Sequence, residues 1–234
     1  MRQGGNRVMK LSVVIPTLNE ARTIREVLQR VLESPLEKEV IVVDDGSTDE
    51  TPRILEGFRS HPAIRILRHP HRRGKGAALR TGFAEATGDV VVVQDADGEY
   101  HPEEFPDLLY PIERGWADAV YGSRFIGAHR VFLFSHRLGN WLVNLLANIL
   151  YDTTLTDLET GYKAIRREVL QQLHLTSNDF RIEVEITAKL FRRRCRVYEV
   201  PISYSGRTYQ EGKKLTWKDG VLALAALVYF RFFD

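Results

Sequence analysis

Residues 90–97 read Val-Val-Val-Val-Gln-Asp-Ala-Asp, an apolar run that passes directly into two aspartates. A short continuous apolar run is typical of a strand buried on both faces of a parallel sheet. Two carboxylates one residue apart repel each other unless a cation lies near them, although the same residues also favour a simple polar turn. Because Mg²⁺ and Mn²⁺ prefer oxygen ligands, we predict such an ion at Asp95 and Asp97, with Glu99 as a third ligand.

Two earlier apolar runs follow the same plan, since each ends in a cluster of polar residues. Residues 11–15 (LSVVI) lead into residues 16–20, and residues 40–43 (VIVV) lead into residues 44–49. Helical periodicity separates these runs, and the alternation indicates a parallel sheet with right-handed crossovers. In such sheets ligands bind beyond the carboxyl ends of the strands. We therefore predict an α/β fold, a mostly parallel sheet flanked by helices, with the three polar clusters at one edge.

The pattern also predicts the remaining elements and a boundary near the end of the chain. The first helix should open at Asn19 to Ala21. Further strands are expected over 63–67, 119–121 and 197–200, and further helices over 76–86, 105–112, 135–151, 183–193 and 217–233. We divide the chain into one domain over 1–215 and an apolar C-terminal helix over 216–234.

Composition limits the classes of function. The chain has 33 basic and 31 acidic residues, a net charge of +2, so we expect no nucleic acid partner. Its single cysteine, Cys195, excludes an internal disulfide and a cysteine zinc site. At 234 residues the chain is long enough for one large α/β domain that needs no structural metal.

Two turns contain residues that suit a nucleotide. In residues 44–49 (DDGSTD) one of the adjacent carboxylates can accept hydrogen bonds from a nucleobase or a ribose hydroxyl, although these residues also favour a turn and a helix cap. Residues 73–76 (RGKG) form a basic, glycine-flanked turn before a helix, which suits a phosphate or ribose contact. The spacing of a Walker A loop is absent.

The order of these motifs resembles family 2 glycosyltransferases, which have the GT-A fold with a Rossmann-like sheet. The resemblance is carried by residues 14–20 (VIPTLNE), 43–49 (VDDGSTD), 74–77 (GKGA) and 95–97 (DAD). Three downstream segments are similar to the branch of dolichyl- or polyprenyl-phosphate mannose and glucose synthases: residues 122–124 (GSR), 157–163 (DLETGYK) and 206–214.

The resemblance implies roles for individual residues. It assigns the nucleotide sugar to a set drawn from these motifs: Pro16, Thr17, Glu20, Asp45, Lys75, Asp95, Ala96, Arg207 and Lys214. Arg124 and Arg137 would attract an acceptor phosphate, since guanidinium groups pair well with phosphate oxygens. Asp95, Asp97 and Glu99 would hold the metal that bridges the diphosphate of the donor.

The implied reaction is inverting transfer of a hexose from a GDP-mannose or UDP-glucose type of donor to a polyprenyl phosphate, with Asp97 and Arg124 in the catalytic centre. A phosphate acceptor is already ionised near neutral pH, whereas a hydroxyl acceptor needs a base. Asp157 and Glu159 are the candidates for that base, and an ion pair or a helix cap is the alternative for both. A sugar nucleotidyltransferase and a non-enzymatic binding module are the two rival hypotheses for the whole chain.

Two apolar segments predict contact with a membrane. Residues 141–150 and 217–233 combine broad apolar faces with aromatic and basic residues, as interfacial helices do, although core helices and dimer contacts share this pattern. The C-terminal run is too short to span a bilayer, and the first ten residues lack the apolar core of a signal peptide. We therefore expect a cytoplasmic protein, peripheral at the inner face of the cell membrane, and leave a homodimer open.

Overall fold

The computed structural model describes residues 9–131, 133–206 and 217–233, and within them a sheet of seven strands. The strand order is β3-β2-β1-β4-β6-β5-β7. The strands are β1 (Leu11–Thr17), β2 (Lys38–Asp44), β3 (Ile64–Arg68), β4 (Val90–Val93), β5 (Ala119–Ser123), β6 (Lys163–Arg166) and β7 (Val197–Pro201). This confirms the predicted α/β class with a mostly parallel sheet.

Helices flank this sheet and connect its strands. They are α1 (Ile24–Glu33), α2 (Thr51–Glu56), α3 (Lys75–Glu85), α4 (Phe105–Glu113), α5 (Phe134–Tyr151), α6 (Arg167–Leu170), α7 (Arg181–Arg192) and α8 (Trp217–Phe232). A 3-10 turn over Pro102–Glu104 precedes α4. The first helix starts later than predicted, at Ile24, and Asn19 lies outside it in a left-handed conformation with φ of 53°.

The central strands are buried on both faces, as their unbroken apolar runs predict. Val13 and Val92 belong to the apolar core on one side of the sheet, whereas Val14 and Val93 belong to the core on the other side. Parallel pairing aligns Val14 with Val93 in β1 and β4, and Thr17 with Asp44 in β1 and β2. The carboxyl ends of three neighbouring strands therefore meet at one edge of the sheet, beside the three polar clusters.

Strand β6 is a strand that the sequence analysis missed, and the short helix α6 that follows it was missed as well. The strand lies between β4 and β5 and is antiparallel to both. Its four residues, Lys163–Arg166, begin and end with a charged side chain, so they lack the apolar run that marks β1, β2 and β4. The sequence marks residues 157–163 only as a motif, and the structure shows that they lead into the centre of the sheet.

Helices α5, α7 and α8 pack against one another around a third apolar core. Their shared core contains Val143 and Ala147 of α5, Val184 of α7, and Leu227 and Phe230 of α8. The apolar faces predicted to meet a membrane are therefore divided, with one part in this core and another part exposed to solvent. No helix among the described residues is long and apolar enough to cross a membrane.

Candidate active site

The turn after β4 is held in place by side chains on both sides. Gln94 is fully buried, and its Nε2 donates to the carbonyl oxygens of Asp95 and Tyr100 at 3.1 and 3.3 Å. From the start of α1, Thr23 Oγ1 donates to the carbonyl of Ala96 at 2.7 Å. This bond places the predicted nucleotide residues 16–20 next to the aspartates. Asp95 and Asp97 both remain partly exposed at the edge of the sheet.

The carboxylates of this turn fit a cation that completes its coordination with other ligands. Lys75 Nζ lies 2.9 Å from Asp95 Oδ1, and Glu99 Oε2 accepts a hydrogen bond of 2.6 Å from the hydroxyl of Tyr204. Within the described residues, no group of three or more His, Cys, Asp and Glu side chains is arranged to hold a metal ion. The predicted set of three ligands is therefore not assembled, and Glu99 is engaged by Tyr204. Two carboxylates still suit Mg²⁺ or Mn²⁺, which usually keeps waters and binds substrate phosphates.

The first two polar clusters lie at one edge of the sheet, as predicted, and the structure shows that they contact each other directly. Asn19 N–H donates to Ser47 Oγ at 2.9 Å, and Glu20 N–H donates to Thr51 Oγ1 at 2.9 Å. Thr17 and Glu20, both predicted to hold the nucleoside, are buried beneath this contact, while Pro16 is partly exposed. The geometry brings these three residues to the β1 end of the sheet edge.

Asp45 stabilises the loop before α3. Its carboxylate accepts hydrogen bonds from the backbone N–H groups of Arg73 and Gly74 at 2.9 and 2.7 Å, and His69 Nδ1 lies 2.7 Å from Oδ1. These bonds account for the burial of Asp45, so the structure gives it a role in positioning the loop that precedes Lys75. Its predicted contact with the nucleoside stays a prediction.

The loop that carries Lys75 requires two glycines. Gly74 has φ of 107°, and a Cβ there would lie 2.2 Å from the carbonyl oxygen of Asn178. At Gly76 a Cβ would lie 2.4 Å from the carbonyl oxygen of Ser177. The backbone before α7 therefore presses on the start of α3, and only glycine fits at both points. This packing brings Lys75 toward helix α7.

Sequence reasoning missed two charged residues behind the aspartates, Glu183 and Lys163. Glu183 Oε1 lies 3.2 Å from Lys75 Nζ, and its Oε2 lies 2.6 Å from Lys163 Nζ. Burial alone would raise the pKa of Glu183, but the two lysines lower it below the usual value. Burial disfavours the charge of Lys75, yet Asp95 and Glu183 raise its pKa above the usual range. The sequence signal was an acidic residue on the apolar face of α7, three residues before Ile186.

Arg124 and Asp157 form a buried ion pair at the other side of the edge. Arg124 Nε and Nη2 donate to Asp157 Oδ2 and Oδ1, both at 2.7 Å, and the backbone N–H of Arg124 also donates to Oδ2 at 2.9 Å. Asp157 is completely buried. Its carboxylate is thus shielded from solvent and held by three donors of one arginine. The structure shows the ion pair that is the alternative role for Asp157, and its use as a general base stays a prediction.

Glu159 differs from Asp157 in its surroundings. It is partly exposed, and no hydrogen bond or ion pair to its carboxylate is found among the residues that the structure describes. Burial raises the pKa of Glu159, and the nearby positive charges of Arg124 and Lys163 offset only part of this effect. Of the two predicted bases, Asp157 is held in an ion pair, whereas Glu159 has neither a hydrogen bond nor an ion pair among the described residues.

The two arginines predicted to bind a phosphate both pack against the aromatic ring of Phe125. The guanidinium of Arg137, on α5, lies 4.1 Å from the ring centre of Phe125, and that of Arg124 lies 5.6 Å from the same ring. Arg137 is exposed, so its positive charge is available at the surface. Arg207 and Lys214, also predicted to bind the nucleotide sugar, lie outside the described residues.

Comparison with known proteins identifies the family. The family model described as "Glycosyl transferase family 2" matches residues 12–174, more than half of the chain. The chain belongs to glycosyl transferase family 2. It is therefore a glycosyltransferase, and this membership contradicts the hypotheses of a sugar nucleotidyltransferase and of a non-enzymatic module. The match spans β1 to the segment after α6, so it contains the turns after β1, β2 and β4.

Three curated relatives of this glycosyltransferase are 30 to 34% identical to it over the aligned residues. It is 34% identical over 212 residues to a dolichol-phosphate mannosyltransferase from Pyrococcus furiosus, with 88% of this chain covered. The chain spans only 59% of the length of that relative. It is 32% identical to an undecaprenyl-phosphate mannosyltransferase from Micrococcus luteus, covering 88% of this chain and 87% of the relative. It is also 30% identical to a polyprenol monophosphomannose synthase from Mycolicibacterium smegmatis, over 83% and 77% of the two chains.

Solved structures confirm the GT-A architecture of this glycosyltransferase. A glucosyl-3-phosphoglycerate synthase from Mycobacterium tuberculosis, crystallised with Mn²⁺, uridine diphosphate and phosphoglyceric acid, superposes with a TM-score of 0.74. The match covers 97% of this chain and 80% of that one, at 24% identity. A second structure of that enzyme, with Mn²⁺, UDP-glucose and phosphoglyceric acid, gives a TM-score of 0.74 at 23% identity, over 95% and 79% of the two chains. At such identity the likeness shows the fold alone.

Proposed function

We propose that this glycosyltransferase moves a hexose from a nucleoside-diphosphate sugar to a polyprenyl phosphate, with inversion at the anomeric carbon. The observation that carries the proposal is the position of Asp95 and Asp97 at the carboxyl end of β4, beside Lys75 and across from Arg124. Mannose is the first sugar to test because the three curated relatives are named for mannosyl or mannose transfer to such lipids. Donors of the GDP-mannose and UDP-glucose types both remain within the proposal.

One set of residues in the site is proposed to stabilise the leaving group, and another set to bind the acceptor. Asp95 and Asp97 would hold Mg²⁺ or Mn²⁺, which when bound neutralises negative charge on the leaving diphosphate. Lys75 adds a positive charge on the same side of the edge. Arg124 and Arg137 would hold the phosphate of the acceptor, whose oxygen is already ionised and attacks without a general base. Arg207 and Lys214 are proposed to close over the pyrophosphate.

The main test of the proposal follows the product. The purified chain is incubated with labelled GDP-mannose, UDP-glucose or GDP-glucose, with a short-chain polyprenyl phosphate, and with Mg²⁺, Mn²⁺ or EDTA. We expect label in the lipid phase with one donor, release of nucleoside diphosphate, and loss of both in EDTA. Transfer that persists undiminished in EDTA would refute the requirement for a metal ion. Failure of every donor with the lipid phosphate would refute a polyprenyl phosphate as the acceptor.

A hydroxyl acceptor is the second candidate, and one observation favours it. Glu159 has the raised pKa that suits a general base, and within the described part of the chain its carboxylate has no hydrogen bond or ion pair; it adjoins the pair formed by Arg124 and Asp157. A base acts only when deprotonated, so with a hydroxyl acceptor the rate would fall as the pH drops through the raised pKa of Glu159. A phosphate acceptor would not require this residue for proton transfer.

Glu159→Gln separates the two acceptors. With a polyprenyl phosphate we expect the variant to keep kcat within about threefold and to keep its pH profile, because no base is needed. If the acceptor is a hydroxyl, kcat should fall by about 10² to 10⁴ and the acidic limb of the profile should disappear. The measurement is kcat against pH for wild type and variant with each acceptor. A loss of that size with the lipid phosphate would contradict the phosphate mechanism.

We also propose that α5 and α8 contact the membrane in which the acceptor lies. Both helices expose large apolar side chains next to their shared core: Leu138, Trp141, Leu142, Leu145 and Ile149 on α5, and Val221, Leu222, Val228, Tyr229 and Phe232 on α8. Arg137 and Arg231 are exposed on the same two helices. Exposed apolar and aromatic side chains with basic neighbours suit the interface of a bilayer. The division at residue 215, a peripheral location at the inner face of the cell membrane and a homodimer stay proposals.

Replacing exposed apolar residues should weaken membrane binding without unfolding the chain. In a variant with Trp141, Ile149, Tyr229 and Phe232 all changed to Ser, we expect binding to phosphatidylglycerol vesicles to fall at least about 100-fold, because the lost apolar area no longer enters the interface. Tyr110→Ser with Trp116→Ser is the matched control, since both are exposed aromatics elsewhere on the surface. Vesicle flotation gives the binding, and equal losses in both variants would refute a role specific to α5 and α8.

A further inference from the structure

Four charged side chains of alternating sign connect the aspartate turn with the interior. Lys75 Nζ lies 2.9 Å from Asp95 Oδ1 and 3.2 Å from Glu183 Oε1, and Glu183 Oε2 lies 2.6 Å from Lys163 Nζ. Asp95 is at the partly exposed end of this series, and Lys163 is fully buried at the other end. Two carboxylates and two ammonium groups make the series neutral, so its stability depends on every member keeping a partner of opposite charge.

Lys75 is placed where it opposes any other cation on Asp95. Both oxygens of Asp95 lie close to its ammonium, at 2.9 and 3.1 Å. A divalent ion on the same carboxylate would face this positive charge across a few ångströms, in a partly buried site where repulsion is strong. The ion and the ammonium therefore cannot both occupy their best positions on Asp95. Some other group must accept Lys75 when the ion binds.

Glu183 offers such a position. Its Oε1 is buried and, within the described residues, has no hydrogen bond of acceptable geometry, although Lys75 Nζ is only 3.2 Å away. A small movement of the ammonium away from Asp95 would complete this bond. On another side the backbone of Gly161 limits movement, since a Cβ there would lie 2.5 Å from Asp95 Oδ2 and 3.0 Å from Lys75 Nζ. The buried Oε1 of Glu183 already forms an ion pair with Lys75, and a short movement of the ammonium would add a hydrogen bond to it.

The rest of the series keeps Glu183 in place for this purpose. Lys163 Nζ donates to Glu183 Oε2 and to the carbonyl oxygens of Leu158 and Thr160, which fixes the ammonium on the protein side. With one oxygen of Glu183 held by Lys163, the other faces Lys75. Glu183 does not need to touch either substrate for this role.

We propose that Lys75 is the resident counter-ion of Asp95, that the divalent cation displaces it, and that Glu183 receives the displaced ammonium as a positioning residue. This proposal depends on the proposed function in one respect, namely that a divalent cation binds at Asp95. If the exchange occurs, the cation should bind weakly in the absence of donor, because it must displace Lys75. It should bind more tightly with the donor, because the diphosphate adds negative charge that attracts both the ion and Lys75. Metal loading is then coupled to the nucleotide sugar.

Titration of Mn²⁺ without nucleotide tests the exchange, followed by the electron paramagnetic resonance signal of the free ion. Lys75→Met should bind Mn²⁺ about tenfold more tightly than wild type, because the competing charge is gone. Glu183→Gln should bind it about tenfold more weakly, because the neutral amide attracts the displaced ammonium of Lys75 less and leaves it closer to the ion. Lys189→Met is the control: it removes another nearly buried lysine, paired with Glu185, and should leave the affinity unchanged.

Each outcome separates the exchange from the proposed function. Lys75→Met leaves the pair of Glu183 and Lys163 intact and should fold, so its affinity decides the question even if Glu183→Gln unfolds. Unchanged or weaker binding by Lys75→Met would overturn the exchange. If wild type binds Mn²⁺ with nucleoside diphosphate but the affinities without it do not differ, only the exchange fails. If wild type binds no Mn²⁺ with any nucleotide, the proposed metal fails as well.

Discussion

Asp97→Ala should lower transfer by about 10³-fold while leaving the fold intact, since a bound cation contributes several kcal/mol to the stabilisation of a developing charge. Asp97 is partly exposed, and its Oδ1 accepts a hydrogen bond of 3.1 Å from the backbone of Glu99. Loss of that bond costs about 1 kcal/mol of unfolding free energy. The measurements are kcat with saturating donor and metal, and the free energy of unfolding by urea.

The control for Asp97→Ala is Asp107→Ala. Asp107 is an exposed aspartate in the first turn of α4, away from the turn after β4. Its loss should change stability by less than about 1 kcal/mol and leave kcat unaltered. Asp97→Ala should also lose the response of the rate to added Mn²⁺. Near-normal turnover that still depends on Mn²⁺ would show that the ion is held elsewhere.

Elements with a strong local pattern were predictable from the sequence. Strand β4 occupies the predicted residues and ends where the valines end, Val90–Val93, because a fully apolar run has no stable place except inside the sheet. The meeting of residues 16–20, 44–49 and 95–97 at one edge also followed, since parallel strands place their carboxyl ends together. The predicted boundaries of the helices differ from the structure by a few residues, and the largest difference is at the start of α1, which follows the left-handed Asn19.

Contacts between distant residues were not predictable in the same way. Arg124 and Asp157 are 33 positions apart, and no local pattern shows that one neutralises the other. The contact depends on the position of β6, which lies antiparallel between β4 and β5 and directly follows the segment that contains Asp157. Because β6 begins and ends with charged residues, the sequence pattern did not predict it as a strand. Likewise, Glu183 becomes part of the site only because α7 packs across the start of α3. Such pairings depend on tertiary topology, which the periodicity of a single segment does not contain.

Asp157→Ala should destabilise the chain by about 3 to 5 kcal/mol, the second large effect that we expect. The substitution leaves Arg124 with a buried positive charge and without the carboxylate that accepts three of its hydrogen bonds. The free energy of unfolding by urea measures the loss. Glu159→Gln, two positions away, should change it by less than about 1 kcal/mol, because no hydrogen bond or ion pair of that side chain is found in the described structure. Similar losses in the two variants would refute this assignment of the ion pair.

The double variant Arg124→Met with Asp157→Leu separates the structural from the functional part of the pair. Replacing both charges by apolar groups removes the uncompensated charge, so most of the lost stability should return. Activity with a polyprenyl phosphate should stay low, because the cation proposed to hold the acceptor phosphate is absent. A double variant that regains both stability and turnover would show that Arg124 only supports the fold. The acceptor phosphate would then depend on Arg137, whose guanidinium lies against Phe125 at the same edge.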